Sequence, residues 1–510
     1  MMDTAPAGDM PENLPEASPE DLPENLPEAS PEDLPEDLAR LRGARVLVTG
    51  AGISGRALIA PLRDLGADVT LTDGNADALA ATAREHGVAT VSPDDAAGAI
   101  SGYAQVVTSP GWRPDSPVLS AAAGAGVPIW GDVEFAWRLD RSGVYGPARD
   151  WLVVTGTNGK TTTTSMLESI LRAGGISAVA CGNIGLPVTD ALRAESPAYT
   201  ALAVELSSFQ LFWAPSVHPT AGAVLNIAED HLDWHGGMDG YVEAKAQALT
   251  GGVGVLGLDD PVAASLRDRP GIARTVGFRL GVPGAGELGV ENGTLVDRAF
   301  ATDETLADVA DVTPSGPAGV MDALAAAALA RTVGVSADAV RDGLRSYQVG
   351  PHRAATVGQV AGVTYVDDSK ATNPHAARTS LLAHPRVVWI AGGLLKGASV
   401  DELAVEVADR LVAAVLFGRD AGQIADALAR HAPQVPVHRV EPGHDENVKS
   451  TDAPDAVMAR AVRVAADAAE PGDTVLLAPA AASLDMFTDY GHRGRSFVAA
   501  VDALADDGAP

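Results

Sequence analysis

Residues 151–175 read WLVVTGTNGKTTTTSMLESILRAGG. An apolar run of strand length leads into a polar, glycine-bearing loop, and a helical pattern follows. Strand, loop and helix in that order are the unit from which α/β sheets are built. The loop suits phosphate: its backbone amides can cradle the oxygens, Lys160 can neutralise a β/γ-phosphate, and the Thr161 hydroxyl can reach Mg²⁺. Gly156, Thr157, Asn158, Gly159 and Thr162 complete this candidate nucleotide loop. It departs from the strict G-x-x-x-x-G-K-[ST] pattern, because Val154 stands where the first glycine belongs.

Two further starts of the same kind flank it. Upstream, RVLVTG (45–50) is a short buried-strand pattern, SGRALIAPLRDLG (54–66) a helix and DVTLTD (68–73) a second strand. Between them, Gly50-Ala51-Gly52-Ile53-Ser54-Gly55, with Asp73 ending the next strand, is the dinucleotide fingerprint in its required context. A helix N-terminus there attracts a pyrophosphate. NAD and UDP both carry one, so this motif alone leaves the two open. Downstream, VTYVDDSKATNPHAARTSL (363–381) follows SYQVGPHR (346–353) and opens a third unit. The fold class expected is therefore α/β in three domains. A Rossmann-like domain covers 41–132, and a central P-loop-type nucleotide-binding domain covers 133–349, with a small β-rich excursion near 275–315. A second Rossmann-like α/β domain covers 350–510, in which EPGHDENVKSTDAPD (441–455) reads as a polar surface insertion.

Composition sets the bounds. A chain of 510 residues suggests two to four domains, and 46% hydrophobic residues can bury sizeable cores. No apolar run reaches the length of a membrane span. The opening MMDTAPAGDM has neither a basic region nor an apolar core, so no secretory signal is expected. One cysteine, Cys181, cannot form an internal disulfide, which fits a reducing cytoplasm. A formal charge of −31 argues against non-specific binding to nucleic acid or anionic lipid. PENLPEASPEDL occupies 11–22 and is repeated without change at 23–34. The repeated prolines and the run of acids without a base up to Leu38 predict a disordered acidic tail over residues 1–40.

The central domain carries more polar residues at strand ends. Glu205 lies in AVELSSFQL, and Asn226, Glu229, Asp230, His231 and Asp233 lie in LNIAEDHLD; Lys245 follows on a helical YVEAKAQAL. Hard oxygen ligands of this kind suit Mg²⁺, which takes one or two carboxylates plus substrate phosphates.

TGTNGKTTT (155–163), GNIGLP (182–187), ELSSFQL (205–211), NIAEDHLD (226–233), YVEAK (241–245), GPHR (350–353), DDSKATNP (367–374) and AASLDMF (481–487) occur in that order. Together they resemble the Mur ligase superfamily, and DSKATN resembles its D-glutamate-adding branch. The resemblance spans about residues 45–505. It implies a UDP-binding first domain, with Gly52, Ile53, Ser54 and Asp73 at the UDP moiety, and makes the central P-loop-type domain an ATPase. It implies ATP-driven formation of an acyl phosphate on UDP-N-acetylmuramoyl-L-alanine, then attack by the amino group of D-glutamate. Lys160 would bind phosphate, Thr161 and Glu205 one Mg²⁺, and His231 and Lys245 a second. The lysine matching Lys245 is carbamylated in this family, which exchanges a cation for a carboxylate-like anion. Asn183 would contact the muramoyl-alanine moiety. Arg353, Asp368 and Lys370 would reach the ATP side from the third domain, with Lys370 joining Lys160, His231 and Lys245 among the catalytic residues. Thr372, Lys396, Ser483 and Leu484 would hold D-glutamate, with Tyr490 closing the pocket. The substrates expected are small molecules only, acted on by a cytoplasmic monomer.

One departure stands out. Members of the family commonly carry His-Asn-x-x-Asn before the helix that here reads DALAAAALAR, whereas this chain has Ala318-Gly319-Val320-Met321-Asp322. No contact is assigned to Gly319, while Asp322 retains an acceptor for adenine or ribose. Among rival readings, another amide ligase of the superfamily is opposed by DSKATN. A nicotinamide-dependent protein would leave the phosphate loop and Lys245 without a use.

Overall fold

The computed structural model describes residues 34–194, 198–350, 352–440 and 453–507. Three sheets follow one another along the chain. The first has five parallel strands in the order Ala89–Thr90, Asp68–Thr72, Arg45–Thr49, Gln105–Thr108, Ile129–Gly131. The second has nine. Its parallel part runs Thr275–Phe278, Val253–Gly257, Ala221–Val224, Asp150–Thr155, Ala201–Glu205, Ala178–Gly182. Glu287–Glu291, Thr294–Asp297 and Glu304–Asp308 extend its other edge, the last two antiparallel. The β-rich excursion expected near 275–315 is thus a continuation of the central sheet. The third sheet has six strands, in the order Ala355–Val360, Val363–Asp367, Thr474–Leu477, Val387–Gly392, Leu411–Phe417, Val437–Arg439. All its pairs are parallel except the first.

The phosphate-loop strand lies inside the second sheet, and Trp151 to Val154 are fully buried, as a parallel strand covered on both faces must be. The helix that follows, Lys160–Ala173, buries Met166, Leu167, Ile170 and Leu171. That stripe packs on helices Pro317–Thr332 and Ala337–Ser346. The alanines from Ala323 to Ala330 are fully buried, and their small side chains let helix Pro317–Thr332 lie close to both the sheet and its neighbour.

The cores are not divided as the sheets are. Val46, Val48 and Val107 of the first sheet share one apolar cluster with Trp151, Val153 and Val204 of the second. Helix Asp132–Ser142 supplies Phe135, Trp137 and Leu139 to that joint cluster, across the expected boundary at 132. The third sheet has its own clusters, one on each face.

One sequence expectation needs correction. The acidic tail expected to residue 40 ends sooner: Glu36–Ala39 is a helical turn, and Leu38 and Leu41 are buried in the joint core, with Leu34 packed against it. Asp37 pairs with Arg138, which also meets Glu134 at 2.7 Å. Three leucines spaced along one side of a short turn bury enough apolar area to offset its ordering. The repeated twelve-mers lie outside the described residues, apart from the final Leu34. The polar insertion expected over 441–455 also lies outside them, except that Ala453, Pro454 and Asp455 already open helix Ala453–Ala468. Among the described residues no helix is long and apolar enough to cross a membrane.

Leu38→Ala should therefore destabilise the protein by about 2–5 kcal/mol, the usual range for emptying a buried leucine site. Removing residues 1–33 should leave stability unchanged. Urea unfolding of the two variants checks both statements; a Leu38→Ala midpoint equal to that of the full chain would refute the first, and a lower midpoint for the shortened chain the second.

Candidate active site

The phosphate loop is held from below by its neighbours. Asn226, at the end of strand Ala221–Val224, receives the Asn158 amide on its Oδ1 at 2.9 Å, and its carbonyl receives the Thr157 amide at 2.9 Å. Gly159 has φ +84°, and a Cβ there would lie 2.3 Å from Asp322 Oδ1, so the loop can bend over Asp322 only with glycine at that position. Asp322 accepts from Thr163 Oγ1 at 3.1 Å, and burial pushes its carboxyl up to about 8. The missing asparagine at 319 also has a steric reason, since any Cβ there would meet Pro314 O at 1.8 Å.

Two lysines share one acceptor. Lys160 Nζ donates to Gly156 O at 2.9 Å and to Thr157 O at 2.9 Å; Lys245 Nζ donates to the same Gly156 O at 2.7 Å. Lys245 is 1% exposed and lies against the Tyr241 ring. Burial, reinforced by the Lys160 charge, drives its pKa well below the ordinary lysine range. Lys160 is lowered too, chiefly by burial.

Thr161 Oγ1 donates to Glu205 Oε2 at 2.6 Å, and Asn183 Nδ2 donates to Glu205 Oε1 at 2.8 Å, so the carboxylate bridges the phosphate loop and the 182–187 segment. His231 sits at φ +53° with Nε2 3.4 Å from Asp230 and its ring on Phe209. Its pKa is lowered by burial first, which favours the neutral ring. Among the described residues no three His, Cys, Asp or Glu side chains converge as an all-protein metal cage requires. Glu205, Thr161 and a neutral His231 around a phosphate loop instead fit the sparse donor set of a Mg²⁺ that is bound largely by phosphate oxygens and water.

The third unit reaches this site directly. Asn158 Nδ2 donates to His375 Nδ1 at 2.7 Å, and Asn373 Nδ2 donates to Asn158 Oδ1 at 3.1 Å. Arg353 lies near enough to shift Lys160, Asp322 and Asp368; Lys396 acts likewise on His231 and Lys370. Lys370 is lowered to about 8, mainly by burial, and its Nζ lies 4.0 Å from the centroid of the Tyr490 ring. Asp368 is raised to about 6 by burial and accepts from the Ala354 amide at 3.2 Å. Thr372 follows in the same loop, its amide donating to Lys370 O at 2.8 Å. Thr162 meets Tyr347. Ser483 is buried and Leu484 is 70% exposed.

In the first sheet, Gly52 caps helix Ile53–Asp64 and Ile53 is 65% exposed. Asp73 accepts from the Ala51 amide at 2.7 Å and from the Asn75 amide at 2.7 Å, closing the fingerprint turn. Ser54 contacts Asp132, which burial raises to about 6 and which Gln210 meets at 3.3 Å. That contact places the fingerprint beside the ELSSFQL segment.

Residues 154–280 match the Mur ligase middle domain, and residues 352–481 match the Mur ligase glutamate ligase domain. A relative from Rhodococcus jostii, named UDP-N-acetylmuramoylalanine–D-glutamate ligase, is 66% identical over 91% of this chain and 96% of its own. One of the same name from Mycolicibacterium smegmatis is 60% identical over 90% and 97%. The chain belongs to the Mur ligase family. The fold agrees: the UDP-N-acetylmuramate–alanine ligase of Thermotoga maritima superposes with a TM-score of 0.55 at 19% identity, over 90% of this chain and 100% of that one.

Several residues of this Mur ligase site escaped the sequence reading. Arg493 is fully buried, and it donates to Ser369 Oγ (3.0 Å), Ser369 O (2.8 Å), Gly392 O (3.3 Å) and Ala481 O (3.0 Å). It thereby ties together the three loops that carry Lys370, Lys396 and Ser483. Burial lowers its pKa to about 9. Asn373 and His375 were also passed over, although Asn-Pro ahead of a helix is a recognisable N-cap signal, and Asn373 does cap helix Pro374–Leu382. Arg493→Met would leave one hydroxyl and three carbonyls without that donor, at about 1–3 kcal/mol for each buried group left unsatisfied. A fall of more than about 3 kcal/mol in unfolding free energy is expected, read from the urea midpoint. A change below about 1 kcal/mol would show that the loops hold without it.

Proposed function

We propose that this chain joins D-glutamate to UDP-N-acetylmuramoyl-L-alanine at the expense of ATP, releasing ADP and phosphate, as a cytoplasmic step in making peptidoglycan precursors. The observation that carries the proposal is the meeting of the DSKATN loop with the phosphate loop at Asn158, in a chain 66% identical to a ligase of that name. That meeting gathers Lys160, Arg353, Lys370 and Lys396 around Glu205 and Asp230. Such a surplus of cations suits two anions that must react with each other, a carboxylate and a triphosphate.

In this reading Gly156 to Thr162 hold the triphosphate, and Lys160 turns from its own loop carbonyls to the phosphate oxygens. Arg353 and Asp368 approach the nucleotide from the third unit. The substrate carboxylate attacks the γ-phosphorus and ADP leaves, giving an acyl phosphate. The D-glutamate amine then attacks the acyl carbon and phosphate leaves. Lys370, with a pKa near 8, can neutralise the adduct's oxyanion. Lys396, Thr372, Ser483 and the backbone of Leu484 supply donors for the two carboxylates of glutamate, with Tyr490 beside them. Gly52, Ile53, Ser54 and Asp73 receive the UDP moiety, and Asn183 the muramoyl-alanine moiety. When bound, Mg²⁺ at Thr161 and Glu205, and a second ion at His231 and Lys245, would neutralise phosphate charge. The substrates are small molecules taken by a monomer, with no nucleic-acid or membrane partner.

Lys245 fits a carbamate for a physical reason. Only a neutral amine attacks CO₂, and burial beside Lys160 favours the neutral form. Lowering the pH through the folded pKa of Lys245 would protonate it, so the carbamate and activity decline together on the acid side.

Phosphate release with UDP-N-acetylmuramoyl-L-alanine and a panel of amino acids tests the activity. D-glutamate should exceed every other acid by about a hundredfold; comparable rates with L-alanine or diaminopimelate would overturn it. Lys245→Arg keeps a charge that cannot take up CO₂. It should lower kcat by about a hundredfold or more while UDP binding stays intact. A ¹³C carbamate resonance from labelled bicarbonate should appear in the native protein and vanish in the variant. Near-normal turnover of the variant would reject the carbamate.

A further inference from the structure

A cavity of about 530 Å³ opens at the carboxyl ends of strands Val387–Gly392, Leu411–Phe417 and Val437–Arg439 in the third sheet. Crevices beyond the carboxyl ends of parallel strands are the usual ligand positions of open α/β sheets. Leu416, Ala421 and Val440 give it an apolar floor, and Leu484 and Asp485 form one wall. Arg419 and Arg439 line it as well, and among the described residues neither guanidinium makes an ion pair or a hydrogen bond. Nothing proposed above uses either arginine.

The cavity is bonded to the loops assigned to glutamate. The Arg419 amide donates to Asp485 Oδ2 at 2.9 Å, two residues beyond Ser483. Asp420 Oδ2 accepts from the Leu395 amide at 2.8 Å, immediately before Lys396. Leu394 and Ala482, which lead into the two loops, exchange backbone hydrogen bonds at 2.8 and 2.9 Å. The Gly418–Asp420 turn therefore sets the positions of both loops while presenting Arg419 to the cavity.

Charge defines what the cavity takes. The chain carries a formal −31, so its field opposes the approach of a small dicarboxylate. Two guanidiniums that have no partner among the described residues outnumber the one lining carboxylate, Asp485, and make the opening locally positive, and their planar forks match carboxylates. The volume falls in the range that encloses drug-sized ligands, far more than a five-carbon amino acid fills, which suits a vestibule rather than a tight subsite. We propose that Arg419 and Arg439 form a carboxylate-capture vestibule through which the acidic amino acid reaches Lys396 and Ser483. The inference rests on the assignment of D-glutamate as the substrate.

The test varies D-glutamate at saturating ATP and UDP-N-acetylmuramoyl-L-alanine, at low and high ionic strength, for the wild type, the double variant Arg419→Gln/Arg439→Gln and its Lys/Lys counterpart. The glutamine pair should lower kcat/KM for D-glutamate about tenfold, the lower end of electrostatic steering. Its kcat and the KM for the two other substrates should stay within about twofold, and its salt dependence should flatten. The lysine pair should recover most of the loss, which a packing defect would not allow. An unchanged kcat/KM for D-glutamate, or a parallel fall for all three substrates, would overturn the vestibule while leaving the ligase assignment standing. A wild type that releases no phosphate with D-glutamate would overturn both.

Discussion

The carbonyl oxygen of Gly156 accepts from two lysines, one buried and one half-buried, and much of the molecule is arranged around that crowding. Two ammonium groups on one oxygen repel each other strongly where water is excluded. The conflict is relieved by the neutral form of Lys245, the more buried of the pair, and by Glu205 and Asp230 facing both. In the proposed reaction this leaves Lys160 to turn toward phosphate and an amine to take up CO₂. Both properties come from desolvation, so they depend on the walls: Tyr241 beneath, Asn226 behind, and the third unit in front.

Those walls differ in how firmly they are joined. The first two sheets share a continuous apolar core through helix Asp132–Ser142, so the fingerprint turn and the phosphate loop keep a fixed relation. The third sheet closes its own cores and meets the loop through amide and imidazole contacts at Asn158. Polar contacts of that kind exchange readily with water, whereas a shared core does not. The cations that the third unit brings, Arg353, Lys370 and Lys396, therefore reach Lys160 and His231 across the separable interface. The link through His352 is consistent with this. Its carbonyl accepts from the Lys370 amide at 3.2 Å, which ties the connecting segment to the loop that carries Lys370.

Much of this was legible in the sequence because it is local. An apolar run before a glycine loop, and a helix after it, gave three sheets and the position of Lys160. The tail boundary was misjudged because prolines and acids dominate the composition near Leu34 and Leu38, and burial of a few leucines depends on a core made elsewhere. The join between the first two sheets was also out of reach: a boundary near 132 marks a change of sheet, while the stacked rings of Trp130 and Phe135 cross it. Arg493 shows the same limit. Its partners lie 12 to 124 residues away, and a basic residue on a C-terminal helix carries no sign that three loops converge on it.

Asp322 shows how a departure in sequence can preserve a physical function. Where the family commonly has two asparagines, Gly319 is held to a bare Cα by Pro314, which leaves one side chain to face the loop. With its pKa raised to about 8, the Asp322 carboxyl is mostly protonated at neutral pH. A protonated carboxyl offers one donor and one strong acceptor, as a carboxamide offers donors and an acceptor, and neither brings charge. An ionised aspartate beneath a triphosphate would oppose it; a neutral one does not. Arg353 pulls the carboxyl toward ionisation, so docking of the third unit and the protonation of Asp322 are linked. The carboxyl keeps the shape of the loop and the hydrogen bond to Thr163, and burial prevents the exchange of asparagine for aspartate from adding an anion to a site built to receive anions.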